Sequence, residues 1–186
     1  ATPDVQALLF DVFGTVVDWR SSIIDEMTRF GADKGLKADW VAFTDDWRGL
    51  YQPAMEEVRS GRRAWTILDV LHRESLETLL AKHKIAALSE ADKDHVTRVW
   101  HRRRPGPEVV QGLTRLKTRH IIGTLSNGNV GLLTRLAKNA ALPWDVVLGA
   151  ETARAYKPLP QAYLASAALL NLAPAQVMLV AAHNGD

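Results

Sequence analysis

The sequence predicts an α/β protein: a parallel sheet of short buried strands, with a long all-helical segment inserted after the first strand. Three observations predict it. Ala7–Phe10 is a short continuous apolar run that stops at a carboxylate, Asp11, followed by Gly14, where the backbone can turn sharply. Residues 18–105 carry helical periodicity and no convincing strand. From Pro107 onward, helical stretches alternate with short apolar runs, the grammar of right-handed β-α-β crossovers.

With 186 residues and 47 % hydrophobic content, the chain can bury a core as one domain or as a domain with an insert. No apolar run approaches the roughly 18 residues of a membrane span, and the N-terminus lacks a signal-peptide pattern. A soluble, cytoplasmic protein is the expectation. The absence of cysteine excludes disulfides and thiolate chemistry. A formal charge of +2 gives no support to nucleic-acid binding, and the one dense basic run, His101–Arg104, reads as a solvated helix end.

Taken in order, residues 21–35 read as a helix, with Ser21 or Ser22 as N-cap and Gly35 at the stop. Residues 39–60 form another through Trp40, Phe43, Trp47, Leu50, Met55 and Val58, kinked or interrupted at Pro53. Residues 65–84 continue the helical pattern, and Ser89-Glu90-Ala91-Asp92 reads as a capping box for a helix ending near Arg103. Beyond Pro107 the expected elements are a helix at 107–118, a strand at 120–125 and a helix at 129–141. A strand at 144–148, a helix at 159–171 and a strand at 176–182 complete the series.

The chemistry concentrates where strands end. In open α/β sheets, ligands sit beyond the carboxyl ends of the strands, which places Asp11 at the lip of a site. A carboxylate there can act as a covalent nucleophile; the plainer alternative is an Asp that caps the following turn. Ser126-Asn127-Gly128, after the strand at 120–125, offers a hydroxyl, an amide and helix N-terminal N–H groups to an anion, or is simply a turn. Lys157 before Pro158 is by itself an ordinary surface lysine; near two carboxylates it would hold both ionised.

The pattern Phe10-Asp11-Val12-Phe13-Gly14-Thr15 resembles the first motif of the haloacid dehalogenase superfamily. Most members are magnesium-dependent phosphatases that carry a second Asp two residues after the nucleophile. Phe13 stands there instead and can neither bind a metal nor protonate a leaving group. The departure points to the metal-independent branch, the L-2-haloacid dehalogenases. The resemblance implies a Rossmann-like core, residues 1–17 and 106–186, with a helical cap, residues 18–105, and Pro105-Gly106-Pro107 as the return hinge. The superfamily usually continues for about another 40 residues on ordinary element lengths. A truncated C-terminus and an exposed sheet edge are therefore expected.

By the same resemblance, Ser126 and Asn127 match the second motif, Lys157-Pro158 the third, and Tyr163 the active-site tyrosine. Trp47-Arg48 is similar to the Trp-Arg pair whose arginine faces the leaving halide, and Trp19 and Tyr51 would shape the same pocket. In the closing stretch Val180–Asp186, magnesium-dependent relatives place an acid at the position of Ala182, and metal coordination needs oxygen ligands. No metal and no cofactor are thus implied. Asp186 remains to activate water; Ala181 and His183 stand where familiar dehalogenases carry Ser and Asn, and Asn184 beside them is assigned to substrate or halide. His183 is a second candidate base or a halide contact.

The implied reaction is attack by Asp11 on C2 of a short 2-halo carboxylic acid, with halide departing toward Arg48 and Asn127. Hydrolysis of the aspartyl ester then gives a 2-hydroxy acid. Thr15, Ser126 and nearby backbone N–H groups would hold carboxylates, and fluoroacetate is a substrate worth testing. Two rivals stand beside this reading: a magnesium-dependent phosphatase, and a non-catalytic binding protein that kept the fold. A homodimer is the commonest homo-oligomer, although the sequence shows no interface signal for one.

Overall fold

The computed structural model describes residues 4–86 and 88–186; residues 1–3 and Ala87, which fall within the expected core and insert, lie outside the described residues. The first predicted strand forms as β1 (Ala7–Phe10), buried at all four positions. It is joined by β4 (Ile121–Ser126), β5 (Val146–Gly149) and β6 (Val177–Val180) in the order β5-β4-β1-β6, every pair parallel. Register aligns Phe10 with Thr124 on one side and with Val180 on the other. The chain thus winds outward from β1 through β4 to β5, then crosses back to place β6 on the far side of β1. Winding reverses beside β1, which is where such sheets open a crevice beyond their carboxyl ends.

Between β1 and β4 lies the insert. It contains α1 (Trp19–Lys34), α2 (Trp40–Arg59), α3 (Leu68–Lys82), α4 (Glu90–Thr97) and a 3₁₀ turn at Arg98–His101. Two short strands, β2 (Val17–Asp18) and β3 (Arg104–Pro105), pair antiparallel at its two ends. This corrects the expectation that residues 18–105 hold no strand. Two residues cannot display an alternation, so the ribbon leaves no periodic signal.

Local chemistry sets the helix ends. Asp18, not Ser21 or Ser22, caps α1: its carboxylate accepts from Ser21 N–H at 3.1 Å, so the helix starts two residues earlier than expected. Gly35 closes it in the left-handed region at φ 66°. Asp39 caps α2, which continues through Pro53 instead of breaking there. Proline removes one helical bond, but Tyr51 and Met55 are both buried on the face that carries Trp40, Phe43 and Trp47. Tertiary packing holds the turn. Trp65 falls before α3, not within it. The Ser89–Asp92 capping box forms in both directions, while α4 gives way to the 3₁₀ turn earlier than the sequence suggests.

After β3 come α5 (Val109–Lys117), α6 (Val130–Ala140), α7 (Ala150–Ala153) and α8 (Pro160–Leu169). The four-residue α7 has no counterpart among the expected elements, being too short to carry a period. One apolar cluster runs without a break from Leu8, Phe10 and Ile122 of the sheet, through Phe13, Val16 and Val17, to Phe43, Trp47, Leu71 and Trp100 of the insert. Trp100 anchors the insert's share. The Trp47 ring meets it edge-on at 5.5 Å and the His72 ring stacks on it at 4.3 Å. Among the described residues, no helix is long and apolar enough to cross a membrane.

Gly149 ends β5 at φ 148°, and a Cβ there would stand 2.1 Å from the backbone oxygen of Ser126. The sheet's approach to the β4 strand end therefore requires a residue without a side chain. Gly149→Ala is expected to destabilise the fold by about 3 kcal/mol, combining backbone strain with overpacking. Urea unfolding followed by circular dichroism measures it, and an unchanged midpoint would show that β5 can shift at no cost.

Candidate active site

Four strand ends converge on one cavity of about 310 Å³, whose wall includes Asp11, Phe13, Asn127, Lys157, His183 and Asp186. Asp11 follows β1 directly, and its N–H donates to Val180 O at 3.0 Å, extending the sheet by one bond. The chain then folds back tightly. Gly14 adopts φ 88°, its N–H donates to Val17 O, and the Val16 and Val17 N–H groups both reach Val12 O. This turn brings Thr15 over the strand end, where its hydroxyl donates to Asp11 Oδ2 at 2.8 Å and accepts from Ala182 N–H at 3.0 Å. One hydroxyl thus ties the loop after β6 to the carboxylate after β1.

The other Asp11 oxygen is 3.2 Å from Lys157 Nζ, which also donates to Asp186 Oδ1 at 2.7 Å. The lysine side chain is only 2 % exposed, so its ammonium depends on these two carboxylates. Burial works against its charge, but the attraction and hydrogen bonds of Asp11 and Asp186 outweigh this and lift it above its ordinary value. The Lys157 N–H is held in turn by Asn127 Oδ1 at 2.8 Å, which leaves the Asn127 Nδ2 protons available as donors.

The opposite wall comes from α2. Arg48, Gln52 and Arg59 line the cavity; positions i, i+4 and i+11 share one face of a helix. Arg48 lies 4.1 Å above the Tyr51 ring and 5.3 Å from the Trp19 ring centroid, and its Nη1 is buried without a protein partner. Arg59 donates to Lys157 O at 2.9 Å and to Gln52 Oε1 at 3.0 Å, clamping the helix against the loop that carries the lysine. Burial raises the Tyr51 hydroxyl above its ordinary range despite the nearby Arg48 cation, so the phenol stays neutral. Arg48, Arg59 and Lys157 line the cavity with Asp11 and Asp186; Lys157 bridges the two carboxylates, Arg59 is paired with Glu56 at 2.8 Å, and Arg48 keeps Nη1 without a protein partner. The balance suits a small anion.

Of the residues expected from sequence, Asp11, Arg48, Tyr51, Asn127, Lys157, His183 and Asp186 line this cavity, and Thr15 bonds to its floor. Four others are placed elsewhere. Ser126 is fully buried beneath the floor, its hydroxyl accepting from Gly128 N–H at 3.2 Å within the turn. Tyr163 packs against the small cluster of Leu9, Leu125 and Leu148, and burial raises its hydroxyl above the ordinary range. Trp19 stacks on Trp100 and borders a neighbouring groove with Gly14 and Thr15. Asn184 is exposed on the closing loop. For Ser126 the reason is the alternation of side chains at the strand end, which buries it and turns the adjacent Asn127 into the cavity.

Sequence reasoning missed Gln52 and Arg59, although their spacing from Arg48 was a usable signal. It also missed a polar latch between the insert and the start of α6. Asn129 donates to Asp69 Oδ2 at 3.0 Å and accepts from the Asp69 N–H at 3.1 Å, while His101 Nε2 meets Asp69 Oδ1 at 2.8 Å. Burial works against the Asp69 charge, but the bonds from His101 and Asn129 outweigh it and hold its carboxyl below the ordinary value.

Asp11, His183 and Asp186 each bring one donor atom to within 4.8 Å of the other two, a grouping that could hold a metal ion. Lys157 Nζ already contacts two of the three, at 3.2 and 2.7 Å, so a dication would have to share that space with an ammonium. Beside Asp11 the cavity wall is the apolar ring of Phe13, 4 % exposed, which offers no ligand oxygen. This donor set suits a lysine-bridged carboxylate pair better than magnesium, which demands near-octahedral oxygen ligands.

The same arrangement has known relatives. A family model for haloacid dehalogenase-like hydrolases matches residues 5–180. The (S)-2-haloacid dehalogenase of Xanthobacter autotrophicus is 27 % identical over 190 residues, spanning 98 % of this chain and 69 % of that one. The solved structure of a defluorinating L-2-haloacid dehalogenase is similar with a TM-score of 0.95 at 49 % identity, covering 97 % of this chain and 75 % of that chain. The Xanthobacter autotrophicus L-2-haloacid dehalogenase with chloropropionic acid covalently bound gives 0.84 at 25 % identity, over 98 % and 71 % of the two chains. A match over residues 5–180, on a parallel sheet whose strand ends gather Asp11, Lys157 and Asp186, makes this chain a member of the haloacid dehalogenase-like hydrolase family.

Proposed function

We propose that this protein hydrolyses the carbon–halogen bond of short L-2-halo carboxylic acids, giving the 2-hydroxy acid and halide through an ester on Asp11, without a metal. One observation carries the reading: the buried Asp11 carboxylate is oriented by Thr15 at 2.8 Å and by Lys157 at 3.2 Å, facing a cavity whose far wall is cationic. A carboxylate so held is a pre-aimed nucleophile. The chloropropionic acid bound covalently in the Xanthobacter autotrophicus structure supports a covalent route.

Asp11 attacks C2 of the substrate, the carbon–halogen bond breaks, and the halide leaves with the bonding pair toward the donors of Arg48 and Asn127. Those donors stabilise charge that grows only as the bond breaks, which is how electrostatic stabilisation lowers a barrier. Arg59 and backbone N–H groups hold the substrate carboxylate. Water then attacks the ester carbonyl of Asp11 and releases the hydroxy acid. Lys157 remains charged throughout and holds the Asp11 carboxylate in place between turnovers. Residues 18–105 act as a cap that closes the cavity, with Phe13 and Tyr51 limiting it to small acids. Fluoroacetate belongs among the substrates, a reading supported by the likeness to a defluorinating relative.

Halide release from L- and D-2-chloropropionate, chloroacetate and fluoroacetate, measured with EDTA present, tests the proposal. Release from the L-acid is expected to persist in EDTA and to fall by at least roughly 10³-fold in Asp11→Asn. Strict magnesium dependence, with hydrolysis of a phosphate ester instead, would establish the phosphatase reading. Lys157 gives a second test. Because its folded value lies above the ordinary 10.5, its share of stability is whole below about that pH and is lost as pH climbs through the raised value. The parent is expected to keep this share at pH 8 and to lose it only as the pH rises through the raised value. Lys157→Met is expected to be less stable at pH 8 and to lack that alkaline loss, as urea midpoints across the range would record.

A further inference from the structure

We infer that Asp69, in the first turn of α3, is a positioning residue for halide departure, acting through Asn129 on the turn that carries Asn127. The inference rests on the haloacid reading above and deepens it by naming what holds one of the two halide donors in place. Asn127 Oδ1 accepts from Lys157 N–H at 2.8 Å, which sets the direction of the amide. The backbone beneath it is a short turn between β4 and α6. On the inner side of that turn, Gly128 N–H donates to Ser126 Oγ at 3.2 Å. On the outer side, the insert takes hold at Asn129.

Asn129 stands at the N-cap of α6, in extended backbone at φ −72° and ψ 158°, yet its side chain makes no bond to its own helix. Asparagine at this position ordinarily accepts from the N–H groups of the first turn. Here both ends of the amide go to Asp69: Nδ2 donates to Asp69 Oδ2 at 3.0 Å, and Oδ1 accepts from Asp69 N–H at 3.1 Å. The start of α6 is served from elsewhere, because Val130 N–H donates to Glu151 Oε2. Asp69 is engaged on its other side as well, with Oδ1 2.8 Å from His101 Nε2 at the far end of the insert. A capping side chain is thus withdrawn from its helix to make a reciprocal pair with the insert. That pair falls two residues from a halide donor.

The ties run unbroken from α3 to the nucleophile. Asp69 holds Asn129, the turn joins Asn129 to Asn127, Asn127 holds Lys157 N–H, and Lys157 Nζ meets Asp11. The turn has little slack. A Cβ at Gly128 would stand 3.0 Å from Leu133 Cδ2 and 3.3 Å from Phe13 Cε2, so the backbone is pressed between α6 and the ring beside Asp11. Released from Asp69, the Asn129 side chain would be free to turn back onto α6 and draw the Asn127 backbone with it. A donor misplaced by about 1 Å can cost on the order of 10²-fold. The cost falls on the transition state, because charge on the halogen grows only as its bond breaks. Asp69 itself lines a different cavity of about 500 Å³ with His101, Arg98 and Arg135, so a change of its side chain meets space and leaves the reacting atoms untouched.

Halide release in a single turnover, with enzyme in excess, reports bond breaking apart from the later hydrolysis. Chloride is a poorer leaving group than bromide and depends more on its donors. Asp69→Ala is expected to slow release from L-2-chloropropionate by about 10²-fold and from L-2-bromopropionate by only about tenfold. Asp69→Asn keeps an acceptor for Asn129 and should recover most of the loss. Asn129→Ser offers α6 a capping hydroxyl while cutting both bonds to Asp69. It should therefore show the same discrimination between the two acids at an undiminished urea midpoint, and it carries the test if Asp69→Ala does not fold. A purely structural tie would slow both acids equally, in step with a lowered midpoint. Equal losses for the two acids, or release at the parent's rate in Asn129→Ser, would overturn the assignment and leave the haloacid reading standing. A parent that releases no halide from either acid would overturn that reading, and this inference with it.

Discussion

The site depends on one buried ammonium. Lys157 stands between Asp11 and Asp186, its side chain 2 % exposed, and those two carboxylates come from opposite sides of the point where the sheet's winding reverses. Without the cation, two carboxylates would face each other across the cavity with no charge between them to offset their repulsion. Breaking such a buried pairing by removing one partner typically costs about 3–5 kcal/mol. The ammonium offsets the charge of a pair of acids and holds one of them toward the cavity. Beside Asp11 the apolar ring of Phe13 offers no oxygen ligand.

Everything around Lys157 serves to hold that geometry. Its backbone N–H is fixed by Asn127 after β4, and its carbonyl by Arg59 from α2, so the loop is gripped from the sheet and from the insert at once. The Asp69–Asn129–His101 latch and the bond from the Tyr156 hydroxyl to Thr66 O at 2.7 Å add two more polar ties between the same parts. These bonds supplement the continuous apolar cluster, which supplies most of the association but has no direction. Directional bonds at the rim and a non-directional core beneath it are complementary: the first sets the cavity's shape and the second keeps it closed.

Much of the fold was legible from local pattern. The apolar run at 7–10, the long helical stretch and the later alternation each became the expected element, because burial on both faces of a strand and on one face of a helix leaves a period in the sequence. Failures occurred where packing overrode local preference or where elements were too short to show one. Pro53 lies inside α2 because Tyr51 and Met55 are buried around it, and the β2–β3 ribbon is only two residues long on each side. At the site, residues in tight motifs were found and those depending on orientation were not. Ser126 and Asn127 are adjacent, yet Asn127 faces the cavity and Ser126 lies under it.

The sequence by itself determined the strand that ends at Asp11, the turn that Gly14 permits, the helical insert, and the apolar residues Phe13 and Ala182 in the loops after the first and last strands. These are properties of residue type and short-range spacing. Tertiary structure alone decided that Lys157 bridges Asp11 and Asp186, that Arg59 clamps the lysine's loop, and that His183 rests on Gly14 with Asp186 behind it. Lys157 and Asp11 lie 146 positions apart. Their contact follows from strand register and crossover, and no local pattern records which distant side chain a buried charge will meet.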